Sequence, residues 1–411
     1  MDISKKKRIA LVLSGGGVKA AAFHIGVCLA LKEKGFTFLG GGPEAVKRKD
    51  KGDPKTIRLY VGSSAGSYVS AVLASGYTVN ALVNSFDLGG DLHSGKNSQN
   101  PSSPEASRLK PLTYRHLFAL NGSSLVKIIP DVFQRSSLVT GGFETLLKNG
   151  FKLNGLFTTR GVEKYLRQHV LPENDFSKLG VDLFVVCTEL NNPNKVIFGT
   201  MDAPGKTPGT RYANYATISD AVAASGSLPP FYSPYGINKD SLNKDKDPNK
   251  NVYFFDGEIR ETLSTHVASD HGADLIISSY SVEPYRYNPK MGSLHKYGIP
   301  VIINQALYQV IQQKIEKHRR HQENLSAIYS GIESYCKKQG IAVEQRDKLL
   351  QIVCQNSNFK PGVDWMYIHP TARNYEMFFV DHFSLNPKIL SRIVSIGFRS
   401  ALATLKEHDL T

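Results

Sequence analysis

A serine within a run of small residues is the part of the sequence best suited to nucleophilic chemistry. Ser64 is the centre of Gly-Ser-Ser-Ala-Gly at positions 62–66, between apolar runs at 57–61 and 67–73. A strand that turns sharply into a helix holds its serine in a strained conformation that only small neighbours permit, and it exposes the hydroxyl. The pattern predicts a nucleophile elbow, although a tight strand–helix connection in any α/β fold would use similar residues. In the elbow, Ser64 is the nucleophile and its supporting residues are Gly62, Ala65 and Gly66.

Three glycines follow the first predicted strand. Gly15, Gly16 and Gly17 come directly after the apolar run at 8–13, and Val18 and Lys19 follow them. Glycines leave backbone N–H groups uncovered, and such groups can hold an anion or an oxyanion. The spacing is neither G-x-G-x-x-G nor that of a P-loop, so an oxyanion hole is favoured over a nucleotide site. The expected donors are the amides of Gly15, Gly16, Gly17 and Val18, with Ala65 from the elbow.

Lys19 is a supporting residue in this interpretation. We expect its ammonium to face solvent or a phosphate, and a purely structural role is the alternative.

An Asp-Gly pair ends another apolar run. Asp256, Gly257 and Glu258 come directly after residues 251–255. An aspartate at the carboxyl end of a strand can accept the proton of a serine hydroxyl, whereas a lone Asp-Gly is more often an ordinary turn. Glu258 puts a second carboxylate near Asp256, and like-charge repulsion would raise the pKa of the aspartate.

In this order, the three stretches resemble the patatin-like phospholipase family, from about Lys7 to about Pro284. Residues 184–190 and 196–198 look like the family's strand pair before the aspartate, and residues 218–231 are similar to its alanine- and serine-rich helix that ends in prolines. The resemblance implies a catalytic dyad of Ser64 and Asp256 without a catalytic histidine, metal or cofactor. Gly257 belongs to the same Asp-Gly motif.

The sequence departs from the family pattern at two positions. Ala20 stands where the family often has a further glycine, and Glu258 stands where glycine or alanine is usual. These two residues leave open a lipid- or protein-binding module that has lost turnover.

The resemblance also implies an activity, namely hydrolysis of fatty-acyl esters of membrane lipids through an acyl-serine, as in a phospholipase A or a lysophospholipase. One alternative is an esterase with a Ser-His-Asp triad, in which His369 or His382 would be the late histidine. Only one strand–helix unit is predicted before the elbow, which disfavours that fold. Acyl transfer to an alcohol acceptor remains open, because it uses the same acyl-enzyme.

The expected fold is an α/β, patatin-like three-layer fold with a central mostly parallel sheet flanked by helices, plus a helical insertion. Residues 1–300 form the predicted catalytic core, residues 301–358 the helical insertion, and residues 359–411 a strand and helix that return to the core. In the insertion, apolar residues recur at helical spacing beside a basic stretch, and a second helix is expected around 328–335. We expect these helices to pack on the core, and a basic amphipathic helix that faces a membrane is the alternative.

Three polar stretches are predicted to lack regular structure. Residues 40–55 are expected to form a basic, solvated loop, and residues 238–250 a solvated turn. So long an irregular segment as 87–111 predicts either disorder or a mobile lid. The apolar residues at 112–118 and 128–133 would supply surface at the mouth of the site.

Composition indicates an anionic partner. The 411 residues carry a formal net charge of +14, and 41% of them are hydrophobic, which suits a well-filled core. No nucleic-acid-binding module is recognisable, so we expect a phospholipid or lysophospholipid substrate and peripheral contact with an anionic membrane surface. The long loops suggest gating by an activating protein partner.

The same composition bears on localisation. The four cysteines have no metal-ligand spacing and imply no disulfide, which fits a reducing compartment. No signal peptide is recognised, and no run approaches the roughly 20 apolar residues of a membrane span. The expected localisation is therefore cytoplasmic, with peripheral membrane association.

Overall fold

A large sheet lies at the centre of the molecule. The structure, a computed structural model, describes residues 2–86, 88, 109–120, 155–239, 250–357 and 359–410. The described strands are β1 (Ile9–Leu13), β2 (Thr37–Phe38), β3 (Thr56–Ser63), β4 (Ala119–Leu120), β5 (Phe157–Thr158), β6 (Asp182–Glu189), β7 (Lys195–Phe198), β8 (Ala203–Pro204), β9 (Thr210–Ala213), β10 (Tyr235–Asn238), β11 (Asn251–Asp256), β12 (Leu275–Ser279) and β13 (Asp364–Ile368).

The strands of the main sheet follow the order β13-β12-β1-β3-β6-β7-β9-β8. The five strands from β13 to β6 are parallel to one another. β11 adds to β6 in antiparallel orientation, β10 adds to β11, and β2 adds to β3. The prediction of a mostly parallel central sheet is confirmed.

Helices cover both faces of this sheet. They are α1 (Gly17–Glu33), α2 (Pro43–Lys49), α3 (Ala65–Ala74), α4 (Val79–Ser85), α5 (Tyr114–Leu117), α6 (Arg160–His169), α7 (Ile218–Ser225), α8 (Thr265–Asp270), α9 (Ile299–Lys338), α10 (Val343–Ser357), α11 (Glu376–Phe379) and α12 (Pro387–Glu407). Short 3₁₀ turns occur at Ile3–Lys5, Phe176–Lys178 and Leu294–Tyr297.

The central strands are buried on both faces because their alternate residues enter two different cores. In β1, Leu11 packs into the larger core with residues of α1, α3 and α12, whereas Val12 packs into a smaller core with residues of α8. In β6, Val185 and Val186 divide between the two cores in the same way. Strands that are covered on both sides are expected to be almost continuously apolar, as these are.

α1 and α12 cross at unusually close range. A Cβ atom on Gly26 would lie 2.1 Å from the carbonyl oxygen of Val394, and one on Gly397 would lie 2.2 Å from that of Phe23. Two glycines at the crossing let the backbones approach each other. This contact ties the C-terminal helix to the helix that begins at the glycine turn.

Two expectations about local structure were wrong. Residues 43–49, predicted as part of a loop, form α2, which has Pro43 in its first turn and basic residues in its last turn, both favourable placements. The segment 299–338 is a single helix, so residues 328–335 continue α9 and the second helix is α10. Most of the predicted lid at 87–111, the apolar stretch at 128–133 and most of the turn at 238–250 lie outside the described residues.

None of the described helices combines the length and the apolarity needed to cross a bilayer.

Candidate active site

The sheet brings the ends of three strands to one edge. Ser63, at the end of β3, pairs with Val186 of β6, and Asp256, at the end of β11, pairs with the next residue of β6, Cys187. β1 lies on the other side of β3, and its last residue, Leu13, pairs with Gly62. The glycine turn, Ser64 and Asp256 therefore meet at the same edge, although they are far apart in sequence.

The backbone at Ser64 has the geometry of a nucleophile elbow. Ser64 has φ 51° and ψ −124° and directly precedes α3, a conformation that is costly for a residue with a side chain. A Cβ atom on Gly66 would lie 2.2 Å from the carbonyl oxygen of Leu13, and one on Gly62 would lie 2.5 Å from Cα of Ser67. The small residues around the serine are therefore required by close backbone approach.

Ser225 holds the elbow from α7, a role that sequence reasoning missed. The amide of Ser64 donates a hydrogen bond to Ser225 Oγ at 2.7 Å, and Ser225 Oγ donates to the carbonyl oxygen of Val186 at 2.6 Å. The available signal was a serine at the end of the alanine-rich segment 218–225.

The Ser64 hydroxyl lies near the Asp256 carboxyl and acts to lower its pKa. Asp256 is only 2% exposed, and its Oδ1 accepts a hydrogen bond from the Glu258 amide at 2.9 Å. Burial raises the pKa of Asp256 to about 6, while the Ser64 hydroxyl and the Glu258 amide oppose that rise. A carboxylate with a raised pKa is a better proton acceptor than an ordinary aspartate.

The glycine turn and Ser64 line the same pocket. Gly16 and Gly17 have φ values of 130° and 71°, and α1 begins at Gly17, so these amides belong to a helix N-terminus. Among the described residues, the amides of Gly16, Gly17 and Val18 have no acceptor. The Gly15 amide differs, because it donates to Glu258 Oε1 at 2.8 Å. Of the expected oxyanion donors, the Gly16, Gly17 and Val18 amides are thus available, whereas the Gly15 amide is occupied.

Gly257 lies where the Asp-Gly motif passes β6. A Cβ atom at this position would lie 2.2 Å from the carbonyl oxygen of Val186. This close approach explains why a glycine follows Asp256.

Lys19 does not face solvent, and the expectation of an exposed or phosphate-binding ammonium was wrong. The side chain is fully buried, and its Nζ donates to Tyr308 Oη at 2.8 Å and to the Met377 carbonyl oxygen at 2.9 Å. Burial lowers the pKa of Lys19 to about 7, and the charge of Asp381 opposes the shift. The structural role is the one observed, since Lys19 joins the start of α1 to α9 and α11.

The two histidines considered for a triad are engaged elsewhere. His382 Nε2 hydrogen-bonds to Tyr308 Oη at 2.8 Å, and burial lowers the pKa of His382 to about 3. His369 Nδ1 lies 2.8 Å from the Pro370 carbonyl oxygen, and its ring stacks on Tyr280. In the described part of the chain, no histidine hydrogen-bonds to Ser64 or Asp256.

An apolar pocket opens over the elbow. Its lining includes Ser64 and the start of α1, and is otherwise mostly aliphatic and aromatic: Gly17, Val18, Ala21, Ala65, Tyr68, Phe86, Leu112, Leu117, Thr159, Val162, Val222, Ala223, Gly226, Tyr232 and Phe383. Such a lining suits an acyl chain. Within the described ranges, no group of three or more His, Cys, Asp or Glu side chains could hold a metal ion.

The fold and the site define a mixed α/β protein with a nucleophile elbow beside a glycine turn. Residues 11–269 match the family model described as patatin-like phospholipase. Because this match covers more than half of the chain, the protein belongs to the patatin-like phospholipase family, whose members are lipid hydrolases.

The crystal structure of VipD from Legionella pneumophila aligns with a TM-score of 0.36 and 16% sequence identity, over 98% of this chain and 67% of that chain. No curated protein matches the chain.

Proposed function

We propose that the protein is a carboxylic ester hydrolase of the phospholipase A or lysophospholipase type, which works through an acyl-serine. The observation that carries this proposal is the placement of the Ser64 hydroxyl near the buried Asp256 carboxyl, beside an apolar pocket and three amides without an acceptor. These are the parts that acyl transfer requires, namely a nucleophile, a base and oxyanion donors.

The reaction begins when Ser64 Oγ attacks the ester carbonyl and its proton passes to Asp256. The tetrahedral oxyanion is held by the amides of Gly16, Gly17 and Val18, and loss of one such donor typically costs about 3 kcal/mol. The ester C–O bond then breaks, and the leaving alcohol takes the proton from Asp256. Asp256 next accepts a proton from water as the water oxygen attacks the acyl-serine, and the fatty acid is released when Ser64 Oγ takes that proton back from Asp256.

Removal of either dyad side chain tests this function. We expect Ser64→Ala and Asp256→Ala to release no fatty acid from mixed phospholipid vesicles, while their circular dichroism spectra match that of the unmodified protein. Ser70→Ala is a matched control, since Ser70 is a fully buried serine of α3 whose hydroxyl has no partner among the described residues. Full activity in either dyad variant would refute the proposal.

The substrate class implies a surface that reaches membrane lipid, and α9 offers one. Ile299, Ile303, Leu307 and Val310 recur on one face of this helix at helical spacing, and their exposed fractions are 72%, 54%, 55% and 50%. The exposed Lys314 and Lys317 continue the same face, and Lys314 Nζ also donates to the Ile259 carbonyl oxygen at 3.1 Å. We refer to these six residues as the outer face of α9.

A bilayer that contains anionic lipid fits the outer face of α9. Apolar side chains can enter the region between headgroups and acyl chains, and lysines beside them are attracted to anionic headgroups. The net charge of +14 acts in the same direction. The opposite face of α9 carries Tyr308, which bonds to Lys19 next to the glycine turn, so the helix lies close to the proposed active site.

Vesicle flotation tests this surface. We expect binding to phosphatidylcholine vesicles that contain phosphatidylserine, weaker binding after Lys314→Glu/Lys317→Glu, and weaker binding after Ile303→Ser/Leu307→Ser. Unchanged binding in both double variants would exclude this face. A dimer that dissociates on Ile303→Ser/Leu307→Ser would instead identify a second copy of the chain as the occupant.

A further inference from the structure

Glu258 connects three parts of the proposed active site. Its Oε1 accepts a hydrogen bond from the Gly15 amide at 2.8 Å and a second one from the hydroxyl of Ser63. Its own amide donates to Asp256 Oδ1 at 2.9 Å. One residue therefore contacts the glycine turn, the strand that ends at the nucleophile and the proposed base.

The packing around this carboxyl is tight. A Cβ atom on Gly15 would lie 2.7 Å from Cγ of Glu258 and 2.8 Å from Cβ of Ser64. The glycine turn is thus held between Glu258 and the nucleophile, and it has no room for a larger residue. A shift of the Glu258 side chain would move the turn that presents the free amides.

We propose that Glu258 is a positioning residue, which holds the glycine turn against the serine strand. This inference rests on the proposed hydrolysis. It goes beyond the dyad, because the pattern of the patatin-like phospholipase family usually has glycine or alanine at the position of Glu258.

The charge on Glu258 matters because an oxyanion forms beside it. A carboxylate there would oppose negative charge on the substrate, whereas a neutral carboxyl would not. Burial raises the pKa of Glu258 to about 7, the negative charge of Asp256 adds to the rise, and the hydrogen bonds from Ser63 and Gly15 oppose it. Among the described residues, Asp256 is the charged group that acts on Glu258.

Burial therefore raises the pKa of both carboxyls, to about 6 for Asp256 and to about 7 for Glu258. Asp256 must be ionised to accept the proton of Ser64, whereas ionisation of Glu258 would add a negative charge beside the glycine turn.

Two substitutions distinguish the positioning effect of Glu258 from the effect of its charge. Glu258→Gln keeps an oxygen that can accept from Gly15 and Ser63 but cannot ionise, whereas Glu258→Ala removes the acceptor. The measurement is kcat/KM for a soluble p-nitrophenyl ester over about pH 5 to 9. We expect wild-type kcat/KM to fall above about pH 7, Glu258→Gln to lose that fall, and Glu258→Ala to be at least about tenfold slower at every pH.

Each of the following outcomes would contradict the role proposed for Glu258. An alkaline fall that persists in Glu258→Gln would show that Glu258 does not set it. Equal rates for wild type and Glu258→Ala would rule out positioning, and a faster Glu258→Ala would show that Glu258 obstructs the turn. A loss of rate in Glu258→Gln as large as in Glu258→Ala would also contradict it.

Ser64→Ala, measured in the same assay, separates this inference from the proposed function. Wild-type turnover by Ser64→Ala would overturn the proposed function itself. An inactive Ser64→Ala together with Glu258 variants that behave as wild type would overturn the role of Glu258 alone.

Discussion

The catalytic edge of the sheet and α9 differ in how many of their side chains are packed against the rest of the molecule. At the edge, each residue has partners on other elements: the Ser64 amide donates to Ser225 of α7, and Glu258 reaches Gly15. On the forty-residue α9, only Tyr308, Ile315, Leu325 and Cys336 are buried. Tight packing can hold reacting groups in place, whereas a helix held along one side leaves its other side free for a partner.

Gly→Ala substitutions in the two regions are expected to give the largest difference in stability. We expect Gly66→Ala to destabilise the fold by about 3 kcal/mol or more and to abolish activity, because its Cβ would lie 2.2 Å from a backbone oxygen. Gly331→Ala in α9 is the matched control. No atom would lie within 4 Å of its Cβ, so we expect a gain of about 0.5–1 kcal/mol from helix propensity. Denaturant unfolding measures the stability change of each variant. Similar changes in the two variants would contradict the difference in packing between the two regions.

A second test concerns the pH dependence of stability at the catalytic edge. The pKa of Glu258 is raised from 4.5 to about 7 in the folded protein, so its contribution to stability is complete below about pH 4.5 and is lost as pH rises through about 7. At about 1.4 kcal/mol per pH unit, the loss is on the order of 3 kcal/mol. We expect Glu258→Gln to reduce this fall in the free energy of unfolding between about pH 4.5 and 7.

Lys317→Gln is the control for that experiment, because Lys317 lies on the exposed part of α9. It should leave the pH dependence as in the wild type. A wild-type free energy of unfolding that does not fall over this pH range would mean that folding does not raise the pKa of Glu258.

The site was largely predictable from sequence because its constraints are local. The requirement for small residues at positions 62 and 66 and the positive φ values at Gly16 and Gly17 each appear within a few residues of sequence. The contact of Glu258 with Gly15 spans 243 residues, and that of Lys19 with Tyr308 spans 289. A pattern of residue types contains no information on such contacts, and for this reason the burial of Lys19 was missed.

In the fold, too, some features were predictable from the sequence and others were not. The apolar runs predicted the buried strands, since both faces of the central sheet are covered. α2 was missed because seven residues rich in lysine and arginine resemble a loop in composition. The division of the chain at residues 300 and 358 stays a prediction.

The link between the two regions can be tested at Tyr308. Its hydroxyl contacts both Lys19 and His382, and Tyr308→Phe would leave the buried Lys19 ammonium with one fewer hydrogen-bond partner. We expect a loss of about 1–3 kcal/mol in the free energy of unfolding. Tyr335→Phe, at an exposed position of the same helix, is the control and should be neutral. Equal stabilities of the two variants would mean that α9 is not anchored through this hydroxyl.

The smallest change in the free energy of unfolding is expected for a substitution on the outer face of α9. This small change is as informative as the largest one. Ile303 is 54% exposed, so Ile303→Ser should change the free energy of unfolding by no more than about 0.5 kcal/mol. Ile315→Ser, at a 1% exposed position of the same helix, should cost about 2–5 kcal/mol, because it removes a buried side chain and leaves a hydroxyl in its place. Thermal and denaturant unfolding of the two variants give the comparison directly. A large loss for Ile303→Ser would show that another part of the chain covers this face, and the proposed contact with membrane would then have to be abandoned.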